Sequence, residues 1–232
     1  MSVALITGGS AGLGRALAHA LAIDGWRVVV DGRDPVRLTE AADHPDIVAV
    51  AGDVADDWHR GALASAVDRE GRLDLLVHNA SALGPTPLPR LATTTADDLG
   101  QVWRTNVGAP LTLTADLLPA LVETGGTLLS ISSDAAVEHY EGWGLYGATK
   151  AALDHLTLTF GAENPDIRAY AVDPGDMRTQ MHQDAFAGED ISDRPLPETV
   201  VPHLLGLLAQ RPPTGRYRAA DFPAVVREQV GG

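Results

Sequence analysis

Short apolar runs and amphipathic stretches alternate along this chain from its first residues. "VALIT" at 3–7 reads as a strand, and the "LGRALAHALAI" that follows repeats its apolar positions at helical spacing. The alternation continues with a strand "WRVVV" at 26–30, a short helix around "RLTEAA", a strand "IVAV" at 47–50, a helix over 56–70 and a strand "LDLLVHN" at 73–79. Two long helical stretches, 96–122 and 144–162, flank a strand "TLLSIS" at 127–132. "IRAYAV" at 167–172 adds a strand, 197–210 a helix and "GRYR" at 215–218 a short last strand. Strands that are apolar throughout are covered on both faces, so the pattern predicts α/β architecture: one doubly wound domain over 1–232, with a mostly or wholly parallel central sheet of about seven strands. No repeat or low-complexity linker divides the chain.

Composition narrows the picture by exclusion. With 17 basic against 31 acidic side chains the formal charge is −14, so broad attraction to nucleic-acid phosphates or an anionic membrane is not expected. The absence of cysteine removes disulfides, thiol nucleophiles and cysteine metal sites together. The beginning of the chain has no basic region before its apolar run, and that run is too short to span a bilayer, so the expected location is cytoplasmic. The polar ending "REQVGG" at 227–232 suggests no chemistry of its own.

Two stretches carry candidate chemistry. In "TGGSAGLG", Gly8 permits a tight turn out of the first strand, Gly12 lets the backbone approach a pyrophosphate, and Gly14 lets the next helix pack closely. Amides at the helix start would face the phosphates, while Thr7 and Ser10 offer hydroxyls near the bend. The spacing differs from the usual GxGxxG, and a purely structural turn would also use these glycines. Far downstream, "YGATK" sets Tyr146 and Lys150 four residues apart on one helix face. An ammonium near the phenol would bring its pKa down toward a useful value, whereas burial without such a cation would raise it. Ser133 ends the "LLSISS" strand and can present a hydroxyl to the same substrate oxygen.

Taken in order, "TGGSAGLG", Asn106 in "WRTNV", Ser133 thirteen residues before Tyr146, and "YGATK" resemble the short-chain dehydrogenase/reductase family over about Val3 to Arg218. The resemblance implies a Rossmann-like dinucleotide domain and an NAD(P)-dependent oxidoreductase that interconverts a ketone and a secondary alcohol by hydride transfer. It makes Tyr146 the acid in reduction and the base in oxidation. Lys150 would lower the tyrosine pKa and hold the nicotinamide ribose, Ser133 would orient the substrate oxygen, and Asn106 would act through backbone geometry and ordered water. No metal is required.

The same resemblance places Gly8, Ser10, Gly12, Leu13 and Gly14 at the pyrophosphate, and Asp53 and Val54 at the adenine. It places Pro174, Gly175, Met177 and Thr179 of "DPGDMRTQM" at the nicotinamide. "HNAS" corresponds to the family's Asn-Asn-Ala-Gly: Asn79 and Ala80 are kept, His78 reads as an ordinary strand-end histidine, and Ser81 departs from a very small position near the cofactor. By family spacing the ribose-contacting position is Gly32 rather than Asp31, and the next residue, Arg33, stands where NADP-preferring relatives carry an arginine. This favours NADP(H) over NAD(H). Ala11 offers no second basic contact, and a one-residue strand slip would bring Asp31 to the ribose and reverse the preference.

The substrate segments are expected at about 82–95, 134–145 and 176–196, with His139, Tyr140, Trp143, Met181, His182 and Phe186 available as walls. The expected reaction is NADPH-dependent ketone reduction. The alternatives are a catalytically silent dinucleotide-sensing or structural protein, or a non-redox enzyme on the same fold. The apolar faces of the two long helices suggest a homodimer or homotetramer.

Overall fold

The computed structural model describes residues 1–225; the polar ending at 227–232 lies outside them. The expected alternation is present. Strands β1 (Val3–Ile6), β2 (Arg27–Gly32) and β3 (Ile47–Ala51) alternate with helices α1 (Gly12–Ile23), α2 (Pro35–Ala41) and α3 (Asp57–Glu70). Then come β4 (Leu75–His78), α4 (Ala96–Trp103), α5 (Ala109–Thr124), β5 (Thr127–Ile131), α6 (Gly144–Glu163) and β6 (Arg168–Asp173). Helices α7 (Gln180–Ala185) and α8 (Pro197–Gln210) precede the last strand, β7 (Gly215–Arg218). The short α7 was not anticipated from sequence.

All seven strands are parallel in the order β3-β2-β1-β4-β5-β6-β7, the Rossmann-like doubly wound arrangement. Successive residues point to opposite faces, which is why fully apolar runs were needed. Ile6, Val28, Val30 and Val77 pack with α1 and α8 on one side; Leu5, Val29, Leu76 and Leu128 pack with α3 and α5 on the other. Each such side chain removed from water stabilises the fold by about 1.5–3 kcal/mol before entropy is counted. The chain winds outward from β1 to β3 and returns to β4 on the other side of β1. A crevice therefore opens where these strands end.

The sequence pattern over 96–122 reads as one uniform helix, but the structure interrupts it. Between α4 and α5, Arg104–Gly108 form a π-helical turn, with the Ala109 amide donating to the Arg104 carbonyl five residues back. Pro110 gives a local reason. It has no N–H to offer the Asn106 carbonyl four residues earlier, so an ordinary α-turn cannot be completed there. The wider turn places Asn106 at 1% exposure in the protein interior.

Candidate active site

β1 leads into the glycine turn. Thr7 Oγ1 donates to the Val77 carbonyl at 3.3 Å and accepts the Asn79 and Ala80 amides, each at 3.1 Å, tying the turn to the end of β4. Gly8 has φ +72° and Gly12 φ +54°, the left-handed region where glycine is favoured. A Cβ on Gly14 would stand 2.4 Å from the Gly8 carbonyl oxygen, so no larger side chain fits. Asn79 donates through Nδ2 to the carbonyls of Thr7 and Gly8 at 2.9 and 3.1 Å, so its amide staples the turn. Ala11 caps α1 without a side-chain acceptor, and the first helical turn has no acid. The positive helix end thus opens, beside Ser10, Gly12 and Leu13, into a cavity of about 670 Å³, a setting that fits a dinucleotide pyrophosphate.

The two residues weighed for the ribose contact, Asp31 and Arg33, differ sharply in setting. Asp31 is 2% exposed, accepting the Gly8 amide at 2.6 Å and contacting His59 Nε2 at 3.1 Å. Its carboxylate is engaged by the glycine turn and by His59, while the residue still lines the cavity. Arg33 is exposed on the cavity rim and has no hydrogen-bond or ion-pair partner among the described residues. Asp53 and Val54 line the same region; Asp53 accepts the Ala55 amide at 2.9 Å.

Deeper in the cavity Ser133, Tyr146 and Lys150 share the lining, while Asn106 is buried outside it. Asn106 Oδ1 accepts the Ala82 amide at 2.7 Å, and its Nδ2 donates to the Ala82 carbonyl and to Thr149 Oγ1, both at 2.9 Å. Thr149 in turn donates to the Tyr146 carbonyl at 2.7 Å, coupling the π-turn to α6. Lys150 Nζ donates to the Ile131 carbonyl at 2.8 Å and lies 5.4 Å from the Tyr146 ring centroid. Burial lowers the lysine pKa to about 8 against the raising effect of Asp154. Ser133 Oγ donates to Asp134 at 3.0 Å and accepts the Ala135 amide at 3.1 Å.

The expected lowering of the Tyr146 pKa by Lys150 is not the dominant effect. Burial pushes the phenol well above the usual tyrosine range; the neighbouring Ser81 and Ser133 hydroxyls act in the lowering direction, and the charges of Asp134 and Asp173 in the raising direction. The phenol is only 7% exposed, and loss of water costs the phenolate more than these neighbours return. A second support was not visible in the sequence: Arg216 on β7 donates to Asp154 at 2.9 Å and to the Ser133 carbonyl at 2.8 Å, joining the last strand to both sides of the site.

Of the expected substrate walls, Tyr140, Trp143, Met181, His182 and Phe186 line the cavity and His139 does not. Trp143 sits edge-on to Tyr146 at 5.6 Å and beside Phe186 at 5.9 Å. The 82–95 segment contributes only Ala82 and Leu83 to the lining. Pro174, Gly175, Met177 and Thr179 border it after β6, and Thr179 caps α7 by accepting the His182 amide at 3.2 Å.

Comparison with known proteins decides the family. The short chain dehydrogenase family model matches residues 2–190. The chain is a short-chain dehydrogenase/reductase. As such it is an oxidoreductase acting on a CH–OH/C=O pair with NAD(P). This short-chain dehydrogenase is 34% identical over 183 residues to a serine 3-dehydrogenase from Agrobacterium fabrum, covering 76% of its own chain and 72% of the relative. It is 34% identical over 200 residues to mouse sepiapterin reductase, covering 78% and 77%. A short chain dehydrogenase from Escherichia coli, solved in complex with NADPH, superposes with a TM-score of 0.87 at 28% identity, covering 94% of this chain and 96% of that one. No helix among the described residues is long and apolar enough to cross a membrane.

Proposed function

We propose that this dehydrogenase is an NADPH-dependent reductase that converts a ketone to a secondary alcohol within a single domain in the cytoplasm. The supporting observation is convergence: the uncapped glycine turn and the Ser133, Tyr146 and Lys150 side chains border one cavity. The dinucleotide, when bound, supplies the hydride. Tyr146 gives its phenolic proton to the substrate oxygen, and Ser133 turns its hydroxyl from Asp134 toward that oxygen. Lys150 holds the nicotinamide ribose and supports the developing phenolate. Asn106 fixes the geometry of α6 through Thr149 and holds an ordered water. Holding these donors in place before reaction supplies the catalytic advantage. Around the cofactor, Gly8, Gly12, Leu13 and Ser10 take the pyrophosphate, Asp53 and Val54 the adenine, Ala80 the path beneath the nicotinamide ribose, and Pro174, Gly175, Met177 and Thr179 the carboxamide end.

NADPH is favoured because Arg33, at the rim, has no hydrogen-bond or ion-pair partner among the described residues, while the Asp31 carboxylate is occupied by Gly8 and His59. Paired calorimetric titrations test this reading. Wild type binds NADPH more tightly than NADH, and Arg33→Ala loses roughly ten- to a hundredfold in NADPH affinity, as expected for a charge-assisted contact, with little change for NADH. Tighter NADH binding by the wild type would overturn the cofactor assignment, and failure to oxidise NADPH across a ketone panel would overturn the reaction.

We also propose a homodimer or homotetramer. Leu99, Trp103 and Leu111, on α4 and α5, remain 41–43% exposed, whereas α6 exposes no large apolar side chain. Light scattering after size exclusion should give a multiple of 24.3 kDa; a 24.3 kDa particle at every concentration would rule assembly out.

A further inference from the structure

A carboxylate at the adenosine end works against NADPH, because it accepts from the ribose hydroxyls of NADH and repels the 2'-phosphate. Asp31 borders the cavity beside Gly32 and Arg33, yet only 2% of it is exposed. Each of its carboxylate oxygens has its own partner: Oδ1 accepts the Gly8 amide at 2.6 Å, and Oδ2 meets His59 Nε2 at 3.1 Å.

The histidine reaches Asp31 from behind the cavity wall. His59 stands on α3, is 8% exposed, and neither it nor any other residue of that helix lines the cavity. Gly52, just after β3, leaves the space for its ring: a Cβ there would lie 2.2 Å from His59 Nδ1. The Gly52 amide also donates to the Gly32 carbonyl at 3.0 Å, which fixes this corner against the end of β2. A carboxylate has no proton to give, so the imidazole is the donor through Nε2 whatever its own charge. The bond therefore draws Oδ2 toward α3. Without the imidazole, Oδ2 would be a buried carboxylate oxygen lacking its donor, and turning it toward the cavity would relieve that cost.

We infer that His59 is a specificity-determining residue that acts through Asp31: by holding the carboxylate on the α3 side, it lets a chain with an acid beside its glycine turn accept a 2'-phosphate. His59 has no place in the cavity lining, so its role is positioning. The inference rests on the proposed preference for NADPH and concerns binding alone; no bond is made or broken.

Calorimetric titration of NADPH and NADH into the wild type and into variants tests it without turnover. In His59→Leu and in His59→Ala the released carboxylate lowers NADPH affinity by about tenfold, the scale on which one charge acts on a nearby phosphate at a protein surface. NADH is held at least as tightly as before, so the ratio of the two affinities moves toward NADH. Asp31→Asn alone keeps an oxygen for the Gly8 amide and leaves that ratio within about threefold of wild type. Asp31→Asn combined with His59→Leu brings the ratio back to the same range, because the charge is gone. A merely structural histidine would lower both affinities equally; an unmoved ratio in the His59 variants would overturn the inference. So would a tenfold gain in NADPH preference in Asp31→Asn alone, since the carboxylate would then oppose the phosphate with His59 in place. That second result is read on a chain that keeps His59, and so stands even where the His59 variants do not fold. Tighter NADH binding by the wild type would instead refute the cofactor reading.

Discussion

Tyr146→Phe lowers kcat for ketone reduction by about a hundred- to ten-thousandfold, the usual contribution of a positioned general acid. The loss falls on kcat because the ring is retained: phenylalanine keeps the edge contact with Trp143 and the packing against Leu83 and Ala135, and only the proton is removed. NADPH binding weakens by no more than about tenfold, the worth of one neutral hydrogen bond. Stopped-flow oxidation of NADPH alongside calorimetric binding separates these effects. An equal, small loss in both would mean that the phenol positions ligand rather than transferring a proton. The direction of the pKa perturbation suits reduction: burial keeps Tyr146 protonated across the physiological range, so the free enzyme stands ready as an acid. Oxidation instead requires the phenolate, whose formation the buried site opposes. Alcohol oxidation by this enzyme therefore rises toward alkaline pH.

What the sequence made legible was carried by local rules. The strands announced themselves because a sheet covered on both faces needs apolar side chains at every position, as in Val28, Val29 and Val30, each no more than 1% exposed. The glycine turn and the Tyr146–Lys150 spacing were readable because each depends on neighbours within a few residues. Family spacing set Asp31 apart from the ribose-contacting position, but its partner His59, 28 residues later, depends on how α3 docks and leaves no local trace. The Asp154–Arg216 link likewise joins α6 to a strand 62 residues away. Pro110 did carry a local signal for the π-turn, but helical periodicity over the surrounding residues masked it. Ser81 was noticeable as a departure from pattern; its hydrogen bond to Asn106 required the fold.

His78, the other departure, is expected to make the fold acid-sensitive. It is 3% exposed and contacts Thr114 Oγ1 through Nε2 at 2.7 Å, while burial, with a smaller effect from the nearby Lys150 charge, lowers its pKa from 6.5 to about 3. Above pH 6.5 the ring is neutral in both folded and unfolded chains, and it carries no pH-dependent penalty. As pH falls below 6.5 the unfolded chain takes up a proton that the folded chain refuses, so stability declines until the folded pKa is reached near 3. At about 1.4 kcal/mol per pH unit, the loss from this one residue reaches roughly 3 kcal/mol by pH 4, a large share of the 5–15 kcal/mol that typically holds a domain folded. His78→Asn installs the family's residue and removes the titrating ring. At pH 7 it is expected to be less stable than wild type by about 1–2 kcal/mol, because a smaller side chain fills the same buried space. Urea unfolding from pH 7 to pH 4 should then show the two stability curves converging and crossing, since carboxylate titration is common to both and cancels in their difference. Parallel curves would mean that the buried imidazole accepts its proton without unfolding, and that the acid sensitivity arises elsewhere in the protein.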